Sequence, residues 1–407
     1  MRDINIKLPL AKEKNSDIYM TGKSKDGEVV SVNRDHFIKN GKPWFPIAGE
    51  FHFSRYLSEY WKEALQRCKA GGLDLINTYV FWIHHEEIEG KFRWDGRYDL
   101  RKFITLCKEV GLKVILRIGP WDHGEVRNGG YPDWLLKKVK APGTNDPEYF
   151  KYSKRLYEEI YNQVKGLLFK DNGPIIGIQI DNEYGHCHGL RGEEGRQHML
   201  TLKKMAIETG FEVPFYTATG WGGAVVVDGE YLPLMAAYVE GSWEQHIDMV
   251  PPNINYVFTS VRDDISVGSD FTQNQHFSPS YDIDNYPFAT CELGGGMQAS
   301  YQRRPIITAE DTEAMAFVKL GSGAIMLGYY MYHGGTNPIG ELTTLQESRD
   351  TGFPNDLPKL TYDYQAPLGE YGQSHPSYRA LRRLHLFAKD HEEILTKGSV
   401  IIPDDKK

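Results

Sequence analysis

Short apolar runs alternate with amphipathic helical patterns along most of the chain. A buried parallel strand appears in a sequence as a short, nearly continuous apolar run, whereas the apolar positions of a helix recur about every 3.6 residues. The alternation of the two therefore predicts βα units and a parallel sheet. The eight predicted strands centre on residues 45–53, 74–82, 113–119, 175–181, 213–218, 234–239, 287–292 and 324–332. Eight strands with intervening helices predict an α/β fold, a (β/α)8 TIM barrel with long βα-loop insertions.

The helical patterns between these runs carry end signals. A helix over residues 58–70 is predicted to begin with Ser58 as its N-cap, and a helix over residues 99–110 is predicted to end at Gly111. The step from Asp146 to Pro147 predicts the start of a long helix that reaches about residue 170, because proline is favoured at the first helical position. Further helices are predicted at residues 195–209, 309–320 and 377–395, the last of them on the outside of the barrel.

The chain is predicted to contain one barrel domain over residues 32–396, with an N-terminal extension (1–31) before it and a tail (397–407) after it. Two long stretches, 239–286 and 337–373, are polar and rich in Gly, Pro, Asp and Ser. In a barrel such insertions usually lie in βα loops over the active site. A flexible surface excursion is the alternative for both stretches, and the sequence does not decide between the two.

The composition narrows the classes of partner and compartment. The formal net charge is −8 and no basic stripe is present, so no nucleic-acid partner is expected. The chain contains no apolar stretch of about 18 residues, so no membrane span is predicted. The N-terminus has no apolar signal region. The four cysteines are widely spaced and are expected to be reduced and mostly buried, which favours a cytoplasmic protein.

Cys187 lies between His186 and His188, a grouping of metal-ligating residue types. Three consecutive residues do not point their side chains in one direction, so we expect no metal at this triplet. No cofactor is expected elsewhere in the chain.

Two glutamates stand at the ends of apolar runs. Glu183 follows the run that starts at Ile175, and Glu292 ends the run that starts at Pro287. Two carboxyls facing one pocket are what cleavage of a glycosidic bond requires, one as acid/base and one as nucleophile. We therefore expect Glu183 to be the acid/base and Glu292 the nucleophile of a retaining glycosidase. For either glutamate taken alone, a salt bridge in a loop is the alternative.

Five motifs occur in a fixed order, at residues 49–55, 77–82, 119–136, 179–185 and 329–337. Together they closely resemble the catalytic barrel of glycoside hydrolase family 35, and the resemblance extends from about residue 32 to about residue 395. Members of that family are mostly retaining exo-β-galactosidases, with some exo-β-glucosaminidases. The resemblance implies Glu183 as acid/base and Glu292 as nucleophile, in agreement with the assignment above, and an oligosaccharide or glycoconjugate as substrate.

The resemblance also implies that four side chains line the subsite for the terminal sugar: Tyr79, Glu125, Asn182 and Tyr330. In the family, the counterpart of Glu125 binds sugar hydroxyls, that of Asn182 holds the 2-hydroxyl, and that of Tyr330 lies by the nucleophile. Tyr238, at the end of the sixth predicted strand, is a weaker candidate. His123 is expected either to contact a sugar hydroxyl or to be a structural hydrogen-bond partner.

The sequence departs from the family pattern after the candidate nucleophile. The family usually has aromatic residues there, whereas Glu292 is followed by Leu293 and then by three glycines, Gly294–Gly296. We expect these glycines to be flexible and an aromatic wall beside the leaving sugar to be missing. Relatives commonly carry β-rich domains after the barrel, so the tail at 397–407 marks either a truncation before such domains or a minimal form.

The first functional hypothesis is an exo-β-galactosidase that acts by double displacement. An exo-β-glucosaminidase or another exo-β-glycosidase is the alternative among enzymes. The substrates differ in whether the 4-hydroxyl is axial or equatorial, and Glu125 is expected to recognise that hydroxyl. A non-catalytic carbohydrate-binding barrel is the alternative from another class. If the chain is an enzyme, burial and the charge of Glu292 are expected to raise the pKa of Glu183, and activity should be bell-shaped in pH.

Overall fold

Eight parallel strands close into a barrel in the computed structural model of the protein, which describes residues 20–218, 223–244, 253–264, 267 and 279–402. In chain order the barrel strands are β5 (Ile47–Phe51), β6 (Leu75–Tyr79), β7 (Lys113–Arg117), β8 (Ile175–Asn182), β9 (Phe215–Ala218), β10 (Leu232–Ala237), β11 (Thr290–Gly294) and β12 (Leu327–His333). Each strand pairs in parallel with its neighbours in sequence, and β12 closes the barrel on β5. All eight predicted strands are confirmed.

Helices connect most of these strands on the outside of the barrel. The described α-helices are α1 (Trp61–Ala70), α2 (Trp82–His85), α3 (Leu100–Val110), α4 (Asp133–Lys138), α5 (Pro147–Val164), α6 (Gly192–Thr209), α7 (Ala309–Gly321), α8 (Pro376–Asp390) and α9 (Glu392–Lys397). Asp99 caps α3 through a hydrogen bond from the Lys102 amide, and α3 ends at Gly111 in the left-handed conformation, as predicted. Asp146 likewise caps α5, with Pro147 as its first residue.

Three predicted helices differ from the structure, one in where it begins, one in where it ends and one in being interrupted. The first helix begins at Trp61 after Tyr60, and Ser58 does not cap it. The long helix α5 ends at Val164, because Lys165 leaves the helical region and Gly166 follows with φ +82°. The helix predicted at 377–395 is two helices, α8 and α9, separated at His391.

A four-stranded antiparallel sheet covers the amino-terminal end of the barrel. It consists of β1 (Met20–Lys23), β2 (Val29–Val32), β3 (Phe37–Lys39) and β4 (Lys42–Trp44), paired in that order. Its apolar side chains share one buried cluster with residues near the starts of the barrel strands, such as Ala48, Leu75 and Ile176. The predicted N-terminal extension therefore contributes β1 and most of β2 to this sheet, residues 1–19 lie outside the described residues, and the predicted domain boundaries stay predictions.

The predicted insertion at 337–373 packs over the opposite, carboxyl end of the barrel. The buried carboxylate of Glu87 accepts hydrogen bonds from the backbone amides of residues 341–343 near the start of this segment. Further along, the backbone amide of Glu347 donates to the carbonyl of Glu125 at 3.0 Å, and Thr361–Tyr362 pairs with Gly335–Thr336. Of the two alternatives for this segment, the structure supports a packed βα loop over the mouth. The other insertion, 239–286, lies partly outside the described residues.

All four cysteines lie within the described residues, and none forms a disulfide. Cys68, Cys107 and Cys291 are buried, whereas Cys187 is half-buried. Within the same residues, the structure has no helix with the length and apolar character of a membrane span. The predicted cytoplasmic location stays a prediction.

Candidate active site

The two candidate catalytic carboxyls lie in one pocket at the carboxyl end of the barrel. Glu183 directly follows β8 and Glu292 lies within β11, and both are largely buried, at 5% and 4% exposure. The residues that line the pocket are Tyr79, His123, Gly124, Glu125, Asn182, Glu183, Tyr238, Ser242, Trp243, Val267, Glu292, Tyr330, Glu347, Asn355 and Leu357. All eight predicted site residues are among them. The pocket thus brings together residues as far apart in the sequence as Tyr79 and Leu357.

Glu292 is held through both carboxylate oxygens. Arg117, at the end of β7, donates to its Oε1 at 2.6 Å, and the Tyr238 hydroxyl donates to its Oε2 at 3.2 Å. Burial raises the pKa of Glu292, the charge of Glu183 adds to that rise, and the charge of Arg117 opposes it. The side chain is therefore fixed in orientation and faces the pocket as an oriented carboxylate whenever it is ionised.

Arg117 organises more than the candidate nucleophile. Its Nη1 donates to Glu50 Oε2 at 2.9 Å, and its Nη2 also donates to Asn182 Oδ1 at 3.0 Å. Its guanidinium lies 3.9 Å from the ring centre of Tyr79, a cation–π distance. Arg117 and Glu50 are almost fully buried. Neither residue was predicted from the sequence, although a charged residue at or next to the end of an apolar strand was the available signal.

Glu183 has a different environment, centred on His123. The His123 Nδ1 lies 3.3 Å from Glu183 Oε2, and its Nε2 lies 3.6 Å from Glu347 Oε2. Burial favours a higher pKa for Glu183, but the charge of His123 and hydrogen bonds from His123 and Cys187 lower it overall. Burial alone would lower the pKa of His123, but the charge of Glu183 raises it overall. The expected rise in the pKa of Glu183 was therefore wrong, because the sequence did not place an imidazole beside it.

Glu125 lies at the wall of the pocket and is fixed by two tyrosines. The Tyr330 hydroxyl donates to its Oε2 at 3.2 Å, and the Tyr362 hydroxyl donates to the same oxygen. Tyr362 is in turn covered by the guanidinium of Arg55, 3.6 Å from its ring centre. Burial raises the pKa of Glu125. Tyr330 lies on the strand next to that of Glu292, but its hydroxyl bonds Glu125, while Tyr238 supplies the hydroxyl at the candidate nucleophile.

Two further predicted residues offer polar atoms to the pocket. The Tyr79 hydroxyl is buried and has no hydrogen-bond partner among the described residues. Asn182 has its Oδ1 engaged by Arg117 at 3.0 Å and by the Gln179 amide at 3.4 Å. A buried polar atom without a partner costs free energy, so the Tyr79 hydroxyl is suited to bond a ligand in the pocket.

The backbone around the candidate acid/base adopts an uncommon conformation. Four non-glycine residues there have positive φ: His123 (57°), Glu125 (50°), Asp181 (56°) and Glu183 (54°). Side chains other than glycine rarely adopt this region, and such strain persists mainly where packing and function hold it. Between His123 and Glu125, Gly124 is also at φ +53°, and a Cβ there would lie 2.6 Å from the Phe81 ring. The positions of these carboxyls are thus set by a backbone that the apolar pattern does not predict.

The glycines that follow Glu292 are closely packed. A Cβ on Gly295 would lie 2.1 Å from the Met331 carbonyl oxygen, and one on Gly296 would lie 2.3 Å from that of Tyr364. The expectation of flexible glycines was therefore wrong, since these positions let neighbouring backbones approach. Trp243 lines the pocket with its ring edge-on to Tyr238 at 5.2 Å, and the missing aromatic wall beside the leaving sugar stays a prediction.

The side chains of the His186–Cys187–His188 triplet point apart, as predicted. The His186 Nε2 bonds the Val267 carbonyl at 3.0 Å, and the His188 Nε2 bonds Asp181 Oδ1 at 2.7 Å. Cys187 lies instead with His123 and Glu183, and one potential ligand atom of each lies within 4.8 Å of the others. These three are the described side chains whose arrangement could hold a metal ion.

Residues 36–387 match the model of the family described as glycosyl hydrolases family 35. Curated relatives include Beta-galactosidase 8 of Arabidopsis thaliana, 32% identical over 374 residues, which are 90% of this chain and 38% of that protein. A beta-galactosidase of Bos taurus is 30% identical over 362 residues, 88% of this chain and 50% of that protein. The chain thus spans half or less of the length of these relatives.

The barrel is also similar to solved structures. The beta-galactosidase from the psychrophilic Marinomonas ef1 has a TM-score of 0.55 at 12% identity, over 86% of this chain and 61% of that one. The exo-beta-1,4-mannosidase Op5Man5 from Opitutaceae bacterium strain TAV5 has a TM-score of 0.56 at 13% identity, over 93% of this chain and 63% of that one. At such identities the likeness shows the shared barrel fold alone.

Proposed function

The chain belongs to glycosyl hydrolases family 35, and from that premise we propose that it is a retaining exo-β-glycosidase that releases terminal β-D-galactosyl residues. One observation carries the proposal. Glu183 and Glu292 face one pocket, but the first is paired with an imidazole and the second with a guanidinium and a tyrosine hydroxyl. Two carboxyls in different surroundings suit the two roles that retaining hydrolysis needs.

In the first step, a carboxylate oxygen of Glu292 attacks the anomeric carbon and displaces the leaving oxygen. Arg117 and Tyr238 hold that carboxylate in one orientation, so little reorganisation is needed on the way to the transition state. The product is a glycosyl ester of Glu292, and the leaving oxygen takes up one proton. In the second step, water attacks the same carbon, gives a proton back and frees Glu292.

The proton for the leaving oxygen is shared by Glu183 and His123. The pKa of Glu183 is lowered and that of His123 is raised, and both shifts favour placing the proton of this pair on the imidazole. During the first step this proton passes from Nδ1 to Glu183 Oε2, 3.3 Å away, and then to the leaving oxygen. His123 is left neutral, and Glu183 is left as the base that the second step requires. His123 therefore acts on the proton rather than on a sugar hydroxyl.

The other predicted residues bind the terminal sugar. The amide oxygen of Asn182 is occupied by Arg117 and Gln179, which leaves its NH2 group to donate to the 2-hydroxyl. Glu125, fixed by Tyr330 and Tyr362, accepts from hydroxyls on the opposite side of the ring. Curated relatives at 30–32% identity are named beta-galactosidases, which supports galactose as the sugar that Asn182 and Glu125 bind.

A panel of nitrophenyl glycosides, assayed with the chain and its Glu183→Gln and Glu292→Gly variants, tests the proposal. We expect turnover of the β-galactoside, loss of retaining turnover in Glu292→Gly, and rescue of that variant by azide to give the α-galactosyl azide. Preferred turnover of a β-glucosaminide would replace the sugar but keep the mechanism. Sugar binding without turnover of any glycoside would favour the non-catalytic barrel, and azide rescue at another glutamate would remove the assignment of Glu292.

A further inference from the structure

Three side chains of different chemical type converge beside the proposed acid/base. His123 comes from the loop after β7, Glu183 from the end of β8, and Cys187 from the loop that follows it. One nitrogen, one oxygen and one sulfur atom of these residues lie within 4.8 Å of one another. Tetrahedral zinc has bonds of about 2.0–2.3 Å, which place its ligand atoms about 3.3–3.8 Å apart. The group therefore needs to close by at most about 1.5 Å to surround such an ion.

The imidazole is oriented in the way that metal-binding histidines are. Its Nδ1 faces Glu183, and its Nε2 faces the buried carboxylate of Glu347 at 3.6 Å. Glu347 is itself fixed, because Asn355 donates to its other oxygen at 3.0 Å. In metal sites, a histidine commonly gives its second N–H to a carboxylate, which fixes the ring and makes the ligating nitrogen more basic. Glu347 is in the right place for that role, and it comes from the 337–373 loop.

The donor set selects a class of cation. A thiolate sulfur with an imidazole nitrogen prefers zinc and similar borderline-soft ions over magnesium or calcium, which prefer all-oxygen sites. Three protein ligands also leave a fourth position for water, as in open zinc sites. Because the three residues line or adjoin the pocket, that position would face the space in which the leaving group must lie.

We propose that His123, Glu183 and Cys187 bind one Zn2+ ion or a similarly soft divalent cation, and that this ion inhibits the enzyme reversibly. The ion displaces the shared proton of the His123–Glu183 pair and the thiol proton of Cys187, and it occupies the oxygen that must protonate the leaving group. The cation is an inhibitor and plays no part in the reaction. The inhibitory consequence rests on the proposed function, whereas the binding of the cation does not.

Cation binding is tested on the full chain after treatment with EDTA. Titration with CoCl2, followed by absorbance, reports a thiolate–cobalt charge-transfer band, and calorimetry with ZnCl2 gives stoichiometry and affinity. We expect one ion per chain, and we expect Cys187→Ala to lose the band and bind Zn2+ at least tenfold more weakly. Cys107→Ala is the matched control, since it removes a buried thiol from helix α3 and should change neither readout.

Inhibition is measured in a second arm, as turnover of an aryl β-galactoside against Zn2+ concentration. We expect inhibition that EDTA reverses in the chain and in Cys107→Ala, and an inhibition constant at least tenfold higher in Cys187→Ala. Equal affinity and an equal charge-transfer band in Cys187→Ala, or no binding at all, would overturn the site. Binding without inhibition would overturn the regulatory role. If no glycoside is turned over, the proposed function fails while the binding arm still decides the site.

Discussion

The buried side chain of Arg117 connects the candidate nucleophile with a proposed sugar-binding residue. It contacts the candidate nucleophile Glu292, the amide of Asn182 and the second buried carboxylate, Glu50. Its charge works against the rise that burial imposes on the pKa of Glu292. Below that pKa the nucleophile is protonated and cannot attack, so the acidic limb of the pH profile should report it.

We expect the acidic limb of kcat/KM to lie above 4.5, the ordinary value for glutamate, because the pKa of Glu292 is raised. Arg117→Lys keeps the positive charge, so the limb should move by less than about one pH unit. Its kcat should fall, because an ammonium group cannot make the forked contacts of a guanidinium to all three partners. Initial rates from pH 3 to 9 measure both effects. A limb at or below 4.5 in the unmodified protein would contradict the raised pKa.

Tyr362 is expected to matter for sugar binding although no sequence motif pointed to it. Tyr362→Phe removes a hydroxyl that donates to Glu125, and a hydrogen bond to a charged group contributes about 1.5–3 kcal/mol. We expect kcat/KM for the β-galactoside to fall about tenfold to a hundredfold. Tyr329→Phe is the matched control, because the Tyr329 hydroxyl bonds His385, which is not among the residues that line the pocket. Similar losses in both variants would point to a general loss of packing.

At this scale the sequence predicted the positions of the two candidate catalytic glutamates better than the partners of their side chains. Glu183 and Glu292 were predicted because each ends an apolar run, and both face the pocket. The contact between Glu125 and Tyr362 joins residues 237 positions apart, and the local pattern around either one does not encode it. The imidazole at Glu183 was missed for a similar reason, since the loop that carries His123 has positive φ at consecutive residues.

At the scale of elements, periodicity located the strands but not every helix end. The eight barrel strands are buried on both faces, so each appears as a short apolar run. Helix ends depend on single residues, and the early end of α5 at Val164 follows from Gly166 in the left-handed region. The glycines after β11 were misinterpreted because a glycine required for close packing and a flexible one look alike in a sequence.

The packing of these glycines predicts a loss of stability on substitution. A Cβ at Gly296 would lie 2.3 Å from the Tyr364 carbonyl oxygen and 2.4 Å from that of Gln365, and a backbone cannot move aside easily. We expect Gly296→Ala to lower the free energy of unfolding by about 1–3 kcal/mol. Gly22→Ala in β1 is the control, because its nearest contact is a Phe169 side-chain carbon at 3.2 Å. Urea unfolding followed by circular dichroism compares the two, and equal losses would argue against a specific clash.

For the whole molecule, the two ends of the barrel differ in what covers them. The antiparallel sheet of β1–β4 packs on the amino-terminal end and shares an apolar cluster with the strands there. The 337–373 loop packs on the other end and adds Glu347, Asn355 and Leu357 to the lining of the pocket. In barrels of this type the amino-terminal end usually contributes to stability, and the carboxyl end carries the active site. The sequence did not decide between a loop over the mouth and a surface excursion, since the anchors of the segment, at Glu87 and Glu125, lie in distant parts of the chain.

This cover predicts how the molecule attacks a polymer. Trp243 and three residues of the 337–373 loop line the proposed sugar site, so we expect the chain end of an oligosaccharide to enter the pocket and internal residues to be excluded. We expect a β-linked galacto-oligosaccharide to lose one galactose at a time from the first minutes of reaction, with products one unit shorter appearing in sequence. Chromatography of early time points measures this, and the unmodified oligosaccharide incubated with Glu292→Gly is the control. Early release of fragments of two or more sugars would mean that the mouth admits internal residues, and the exo mode would then have to be abandoned.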